Sequence, residues 1–308
     1  MTYSIIARDP DTGALGIACQ SHFFGVGRLV GWLEPGVGVI ATQAFVNVGF
    51  GPRGLDLLRQ GRSASQVLSA LVETDDQPAY RQLAVIDAGG GVAHHTGDAC
   101  VPAAGALSGD QVSVQGNMLT SKAVYESMMA AYEDASGRPF AERLLLALRA
   151  GEDAGGDARG AQSAVLKVVS GNRAGNPWEE TLLDLRVDDH PDPVTEITRL
   201  ASLSGAFDQI GSVLFTPRLM IGPYEDVDDE ALTGALDALQ GARAVLGDDN
   251  QEAAFWKAVL LLRAGQDEKA AELFSEVFGQ ADHWRSYLRQ VAEAGFVDTV
   301  TAASLAQR

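Results

Sequence analysis

Short apolar runs separated by turn residues dominate the first two hundred positions of the chain. Residues 2–7 and 14–21 are two such runs, joined by the segment Asp9-Pro10-Asp11-Thr12-Gly13. Proline presets φ, aspartate bonds the local backbone and glycine accepts a positive φ, so this segment predicts a β-hairpin. Further apolar runs predict strands at 30–33, 36–44, 81–87, 91–95, 112–115, 162–170 and 181–187.

Helical patterns occur between blocks of these strands. Ser63 is followed three positions later by Gln66, which is the spacing of a capping box at the start of a helix. Other helical patterns cover 55–59, 121–133, 140–150 and 192–203. Because strands and helices come in blocks and not in regular βαβ alternation, the chain is predicted to adopt an α+β fold.

The pattern changes at about residue 204. Glycines and prolines punctuate residues 204–224, which favours a linker, and residues 225–308 are helical in pattern. Within them, residues 253–260 and 265–274 resemble one tetratricopeptide-type helix pair, although such folds usually stack about three repeats. We therefore expect one domain at 1–203, a linker at 204–224, and a small helical domain at 225–308 that is only weakly tetratricopeptide-like.

Composition narrows the class of protein and of partner. Hydrophobic residues make up 46% of the 308 positions and charged residues 21%, which is typical of a globular chain. The formal net charge of −18 argues against binding to a nucleic-acid backbone. The sequence shows neither a secretory leader nor an apolar run of about 18 residues, so we expect a cytoplasmic protein without membrane contact.

Metal and cofactor sites are not expected. The two cysteines, Cys19 and Cys100, are too few for a disulfide scaffold and have no paired ligand spacing. Adjacent histidines such as His94 and His95 point to opposite faces of a strand, so they do not bind one ion together. We therefore expect chemistry that uses neither a metal nor a cofactor.

Thr2 is the candidate nucleophile. If Met1 is removed, Thr2 becomes the terminal residue, with a hydroxyl nucleophile and its own α-amine as the base. That amine has an ordinary pKa of about 7.7–8.0, so part of it is neutral near physiological pH. The alternative is that threonine after the initiator is simply a common start to a chain.

Other candidate site residues lie in polar, glycine-flanked clusters. Gln115 and Asn117 could donate to an oxyanion, or could be buried amides that serve a turn. Asp157 and Arg159 could bind a polar substrate or support Thr2, or form an ion pair that only fixes a loop. Further binding candidates are the polar side chains of Gln43, Asn47 and His95.

Five ordered motifs within residues 1–203 resemble the bacterial DUF1028 family. They are Thr-Tyr-Ser-Ile-Ile-Ala-Arg-Asp from residue 2, Thr-Gln-Ala-Phe-Val-Asn from 42, Gln-Gly-Asn-Met-Leu from 115, Gly-Gly-Asp-x-Arg-Gly-x-Gln-Ser-Ala from 155, and Leu-Arg-Val-Asp-Asp-His-Pro-Asp-Pro from 185. The resemblance implies the N-terminal-nucleophile (Ntn) hydrolase-like fold, a four-layer αββα sandwich. That fold implies that Thr2 heads a central strand, where Ntn hydrolases carry their nucleophile.

Together these observations favour an Ntn amidohydrolase that cleaves an amide bond in a small or peptide-like substrate. The alternative is a catalytically silent metabolite-binding protein of the same fold, with Gln43, Asn117 and Arg159 as its polar contacts. In either case the helical tail could serve as a protein-interaction module. The chain could also form a homodimer.

Overall fold

The computed structural model describes residues 2–173 and 175–307, and the chain divides into two compact units at residues 1–199 and 200–308. The strands of the first unit are β1 (Thr2–Arg8), β2 (Leu15–Ser21), β3 (Gly31–Glu34), β4 (Gly38–Ala44), β5 (Arg81–Asp87), β6 (Val92–Thr96), β7 (Gly105–Gly109), β8 (Val112–Asn117), β9 (Ser163–Val169) and β10 (Thr181–Val187). Its helices are α1 (Phe50–Arg59), α2 (Ala64–Glu73), α3 (Ala123–Asp134) and α4 (Phe140–Asp153). Helix α5 (Pro193–Leu214) begins in this unit.

The strands form two sheets. The six-stranded sheet has the order β10-β9-β2-β1-β8-β7, and the four-stranded sheet has the order β3-β4-β5-β6. Every named pair is antiparallel. Hairpins join β1 to β2, β3 to β4, β5 to β6, β7 to β8 and β9 to β10, whereas the other pairs connect strands that are distant in sequence. Strand β1 therefore lies inside its sheet, paired with β2 on one side and β8 on the other.

Apolar side chains hold the two sheets face to face. Ile6 and Ile17 from the six-stranded sheet share one buried cluster with Val39, Ala41 and Ile86 from the four-stranded sheet. Because side chains alternate along a strand, Thr2 and Ser4 lie on the same face of β1 as Ile6 and so also point between the sheets.

Helix pairs cover the outer faces. Helices α1 and α2 pack on the four-stranded sheet through a cluster that includes Phe50, Leu71 and Leu83. Helix α4 packs on the six-stranded sheet, where a Cβ on Gly16 would lie only 2.6 Å from Leu144 Cδ1. A glycine at this position allows the helix to approach β2 closely. Tyr3, on the opposite face of β1 from Thr2, donates its hydroxyl hydrogen bond to Glu152 of α4.

The second unit is helical. After the end of α5 it contains α6 (Asp229–Leu246), α7 (Glu252–Arg263), α8 (Asp267–Gln280), α9 (His283–Glu293) and α10 (Thr299–Leu305). Its core is built around Phe255, which is fully buried and contacts Phe274, Trp284 and Tyr287. The Arg263 guanidinium donates to the carbonyl oxygens of Leu219, Gly222 and Phe296, which ties irregular segments to α7.

The predicted class, a mixed α/β protein with antiparallel sheets and a C-terminal helical region, is confirmed. The predicted linker at 204–224 differs from the structure, because α5 continues to Leu214. Gly205 and Gly211 suggested a break, whereas Ala206, Ile210 and Val213 lie at helical spacing and are buried. Strand β7 and helix α10 were not predicted. None of the helices in the described ranges combines the length and apolarity needed to span a bilayer.

Candidate active site at the start of strand β1

Thr2 lies at the start of the inner strand β1. It faces Asn117 on β8, and one position further along Tyr3 faces Gln20 on β2. The antiparallel hairpin thus brings the last residue of β2, Ser21, beside Thr2. The Thr2 side chain lies 3.1 Å from the Ser21 side chain, Oγ1 to Oγ, and Thr2 is only 6% exposed. Two hydroxyl groups therefore meet at one end of the sheet.

A small cavity of about 70 Å³ adjoins these hydroxyl groups. Thr2, Ser21 and Gln43 provide its polar side chains. The remaining lining is apolar and comes from the segments after β2 and around β4: Phe23, Val26, Leu29, Val30, Ala44 and Val46. The cavity has room for only a few non-hydrogen atoms, since one water in the liquid occupies about 30 Å³.

Buried amides form a hydrogen-bonded network behind Thr2, in the space between the two sheets. Gln82 Oε1 accepts from Gln43 Nε2 at 2.7 Å and from Asn117 Nδ2 at 3.0 Å. Ser4 Oγ donates to Gln43 Oε1 at 2.7 Å and accepts from Gln115 Nε2 at 2.6 Å. All five residues are 1% exposed or less. Such a network fixes side-chain positions, because each lost bond would leave a partner unsatisfied.

Gln115 and Asn117, the predicted oxyanion donors, belong to this network and do not line the cavity. Asn117 Nδ2 also lies 3.5 Å from the Thr2 carbonyl oxygen, so it contacts the backbone of the candidate nucleophile. Its Oδ1 atom is buried and has no hydrogen-bond partner among the described residues. The oxyanion role of these two amides stays a prediction, and Gln43 is the amide that reaches the cavity.

The backbone is strained at two positions next to this network. Ala44, directly after Gln43, has φ of 68°, and Met118, directly after Asn117, has φ of 55°. Residues other than glycine seldom adopt this left-handed region, and each such residue costs of order 1 kcal/mol. Strain of this kind is common where a chain positions functional groups.

Asp157 connects the end of β2 to the loop that precedes β9. Its carboxylate accepts from the backbone N–H of His22 at 3.0 Å and from that of Arg159 at 2.9 Å. Arg159 Nη2 lies 3.3 Å from the same carboxylate, whose side chain is fully buried, while the Arg159 side chain is 41% exposed. This arrangement fixes the loop beside Ser21, and Arg159 is the member that can reach a ligand.

Asn47 and His95 lie away from the cavity. Asn47 Nδ2 donates to Asp75 Oδ2 at 2.9 Å, and Asn47 Oδ1 accepts from the Gly49 N–H at 3.1 Å. His95 Nε2 donates to the Pro78 carbonyl oxygen at 2.9 Å. Both side chains thus stabilise local loops. Among the residues that the structure describes, no group of three or more His, Cys, Asp or Glu side chains is placed to hold a metal ion.

Two residues of the site were not predicted from the sequence, namely Ser21 and Gln82. The hairpin register could have identified Ser21, since a turn at Asp9–Gly13 pairs position 2 with position 21 when the strands are counted outwards. Gln82 had no such local signal. It lies on the other sheet and meets Asn117 only through the packing of one sheet on the other.

Comparison with known proteins places the first unit in a family. Residues 2–197 match the model of DUF1028, a family of unknown function. A crystal structure of a DUF1028 protein from Silicibacter pomeroyi is similar, with 33% sequence identity and a TM-score of 0.58, over 65% of this chain and 87% of that one. No protein of curated function matched the sequence. The chain belongs to the DUF1028 family.

Proposed function

We propose that this protein is an amide hydrolase of the Ntn type, with Thr2 as nucleophile. In this proposal the two packed sheets and their outer helices form the four-layer αββα sandwich of Ntn hydrolases. The observation that carries the proposal is the position of Thr2, whose hydroxyl lies at the start of an inner strand and lines a small cavity.

The reaction requires a mature chain that begins at Thr2. The neutral α-amine of Thr2 would take the proton from Oγ1 as that oxygen attacks the substrate carbonyl carbon. The C–N bond then breaks, the departing amine takes the proton, and an acyl ester remains on Oγ1. Attack by water on this ester releases the acid and restores the hydroxyl. The Ser21 hydroxyl, 3.1 Å from Thr2 Oγ1, orients the nucleophile.

The substrate follows from the lining of the cavity. Phe23, Val26, Leu29 and Val30 make the space beside Thr2 apolar, and its volume of about 70 Å³ suits a short acyl group. Gln43 is the amide side chain of the lining and would face the bound carbonyl. Gln115 and Asn117 could assist as oxyanion donors once they exchange a present hydrogen bond for one to the substrate.

The test begins with the intact mass of the purified protein, which shows whether Thr2 is the terminal residue. Thr2→Ala is then compared with Thr2→Ser on a panel of short-chain amides. We expect Thr2→Ala to lose activity by about 10³-fold or more and Thr2→Ser to keep a measurable part of it. Thr181→Ala is the control, because it makes the same substitution at the start of β10, an edge strand of the same sheet, where the side chain is exposed. Retention of Met1, or full activity in Thr2→Ala, would contradict the proposal.

A second candidate is a metabolite-binding protein without turnover. It is favoured by one observation, namely that the amide donors of Gln43, Gln115 and Asn117 are already engaged with neighbouring side chains. Stabilisation in a thermal-shift screen by a compound that is never cleaved would support this reading. A role of the helical unit in protein interactions is compatible with both candidates.

A further inference from the structure

A second cavity lies at the other end of the β1–β2 hairpin and has a volume of about 660 Å³. Three segments line it: the hairpin turn, the start of α4, and the β9–β10 region. Since Thr2 and Asp9 are separated along an extended strand, this cavity is roughly 20 Å from Thr2. Its volume lies within the range of about 300–1,000 Å³ that is usual for small-molecule sites.

Arg143 is the distinctive side chain of this cavity. It is 13% exposed, and its guanidinium lies over the Tyr132 ring at 4.1 Å from the centroid. Its Nε is buried and has no hydrogen-bond partner among the described residues. Its Nη1 lies 3.9 Å from Asp9 Oδ1, which is too far for a hydrogen bond. Buried arginines are normally bonded through several donors. Because Nε is shielded from solvent, the Nη groups are the donors that a ligand in the cavity can reach.

Asp9 provides the opposite charge. Its Oδ2 accepts from Thr12 Oγ1 at 2.5 Å, and its Oδ1 is the atom that faces Arg143. Burial raises the pKa of Tyr132 to about 12, with smaller opposing effects from Arg143 and Asp9. The tyrosine therefore stays neutral and serves as a flat support that fixes the plane of the guanidinium.

The rest of the lining suits a ligand that has an apolar middle part and one charged group of each sign. Asp11 and Arg138 add one further charge of each sign, so the formal charges of the lining cancel. Phe140 and Leu182 contribute apolar surface, and Leu182 is 55% exposed. A zwitterion can bond an acidic and a basic group of this lining at the same time, whereas a ligand with a single charge can bond only one of the two kinds.

We propose that this cavity binds a small zwitterion, namely an apolar α-amino acid or a dipeptide. The ligand carboxylate would accept hydrogen bonds from Arg143, and its ammonium group would donate to Asp9. The 3.9 Å between Arg143 Nη1 and Asp9 Oδ1 is short enough for one α-amino acid to contact both, since a single carbon joins its charged groups. The Arg143 plane favours two-point recognition of a carboxylate.

Calorimetric titration of the full chain with leucine, N-acetyl-leucine and leucinamide tests this proposal. The two amides are titrated into Thr2→Ala, in which the proposed hydrolase cannot convert them to leucine. Each derivative lacks one of the two charges. We expect leucine to bind, and each derivative to bind at least about tenfold more weakly, because each cannot form one of the two charge-assisted hydrogen bonds. The dipeptide leucyl-leucine is titrated as a second zwitterion. The proposal would be overturned if neither leucine nor leucyl-leucine binds, or if leucine, N-acetyl-leucine and leucinamide bind equally well.

Variants separate ligand binding from a structural role of Arg143. We expect Arg143→Met and Asp9→Asn to lower the leucine affinity by about tenfold or more. Arg149→Met, on the same helix and paired with Asp153, should leave it unchanged. If Arg143→Met does not fold, Arg143→Lys keeps the charge and removes the planar pair of donors, and the same loss is expected.

Thr2→Ala should bind leucine normally, so failure of this proposal is distinct from failure of the proposed hydrolase. Unchanged affinity in the folded Arg143 and Asp9 variants would refute the site.

Discussion

The hydroxyl oxygens of Thr2 and Ser21 lie 3.1 Å apart, although nineteen positions separate the two residues. The β1–β2 hairpin sets this distance, because its register pairs Tyr3 with Gln20 and Arg8 with Leu15. A shift of one residue in that register would turn Ser21 to the helix-covered face of the sheet. The geometry of the candidate nucleophile thus depends on the turn at the opposite end of the hairpin.

Ser21→Ala should lower amide turnover by about tenfold and leave the fold intact. The reason is that the variant removes the hydroxyl that orients Thr2 Oγ1, an interaction of about 1.4 kcal/mol. Steady-state kinetics on the best amide, together with a thermal melt, measure both effects. Ser108→Ala is the control, because Ser108 lies on β7 of the same sheet, is exposed and does not line the cavity. Equal activity in the two variants would remove Ser21 from the site.

Gln82→Ala should destabilise the first unit by about 3 kcal/mol. Gln82 is fully buried, and its amide bonds Gln43, Asn117 and the Gly116 carbonyl oxygen, so its loss leaves several buried groups unsatisfied. Urea unfolding monitored on the full chain gives the change in the first unit's transition. The exposed Gln60, at the end of α1, provides the control variant Gln60→Ala, for which a change below about 0.5 kcal/mol is expected.

The contrast between Ser21 and Gln82 shows how far the sequence alone leads. Hairpin chemistry at Asp9–Gly13 is local, so β1, β2 and their pairing follow from neighbouring residues. Gln82 meets Asn117 across two sheets, and no periodicity encodes which strand of one sheet packs over which strand of the other. The amide network was therefore visible only as isolated polar residues, two of which, Gln115 and Asn117, were assigned to an oxyanion.

The linker predicted from residue 204 was wrong in its first part because two local signals, glycine content and apolar periodicity, conflict there. Gly205 and Gly211 favour a break, yet Ala206, Ile210 and Val213 bury one face of α5, and the burial of that face outweighs the low helix propensity of glycine. Strand β7 was missed for the opposite reason. Its sequence Gly-Ala-Leu-Ser-Gly lacks β-branched residues, and its pairing with β8 supplies the strand conformation.

Asp75 should make the stability of the first unit depend on pH. Burial raises the pKa of its carboxyl, but hydrogen bonds from Asn47, the Gln77 N–H and Arg81 outweigh this effect and hold the pKa below its ordinary value of 3.8. The lowered pKa means that the carboxylate stabilises the folded state above about pH 4 and that this contribution is lost as the pH falls through the folded-state value.

Asp75→Asn should therefore be less stable than the natural chain at pH 7, by about 1–2 kcal/mol, and the difference should shrink below pH 4. Asn47→Ala should show the same trend, because it removes one of the hydrogen bonds. Urea unfolding at a series of pH values checks both variants. The exposed Asp76 serves as control through Asp76→Asn. A gap between Asp75→Asn and the natural chain that stays constant down to pH 2.5 would show that Asp75 acts without its charge.

Val30 and Val46 should set the length of the acyl group that the proposed hydrolase accepts. Both line the cavity of about 70 Å³ beside Thr2. Val30→Ala removes two methyl groups from the cavity wall. We expect the preferred amide to shift to an acyl chain one or two carbons longer. The value of kcat/KM for that longer amide, divided by kcat/KM for the amide that the natural chain prefers, should rise about tenfold. Val46→Phe should fill the space and exclude all but the shortest acyl group.

The measurement is kcat/KM over a series of linear acyl amides from acetyl to hexanoyl. Val300→Ala, at a site 75% exposed in the helical unit, is the control that should leave the series unchanged. An unaltered preference in both cavity variants would show that the acyl group does not enter this cavity.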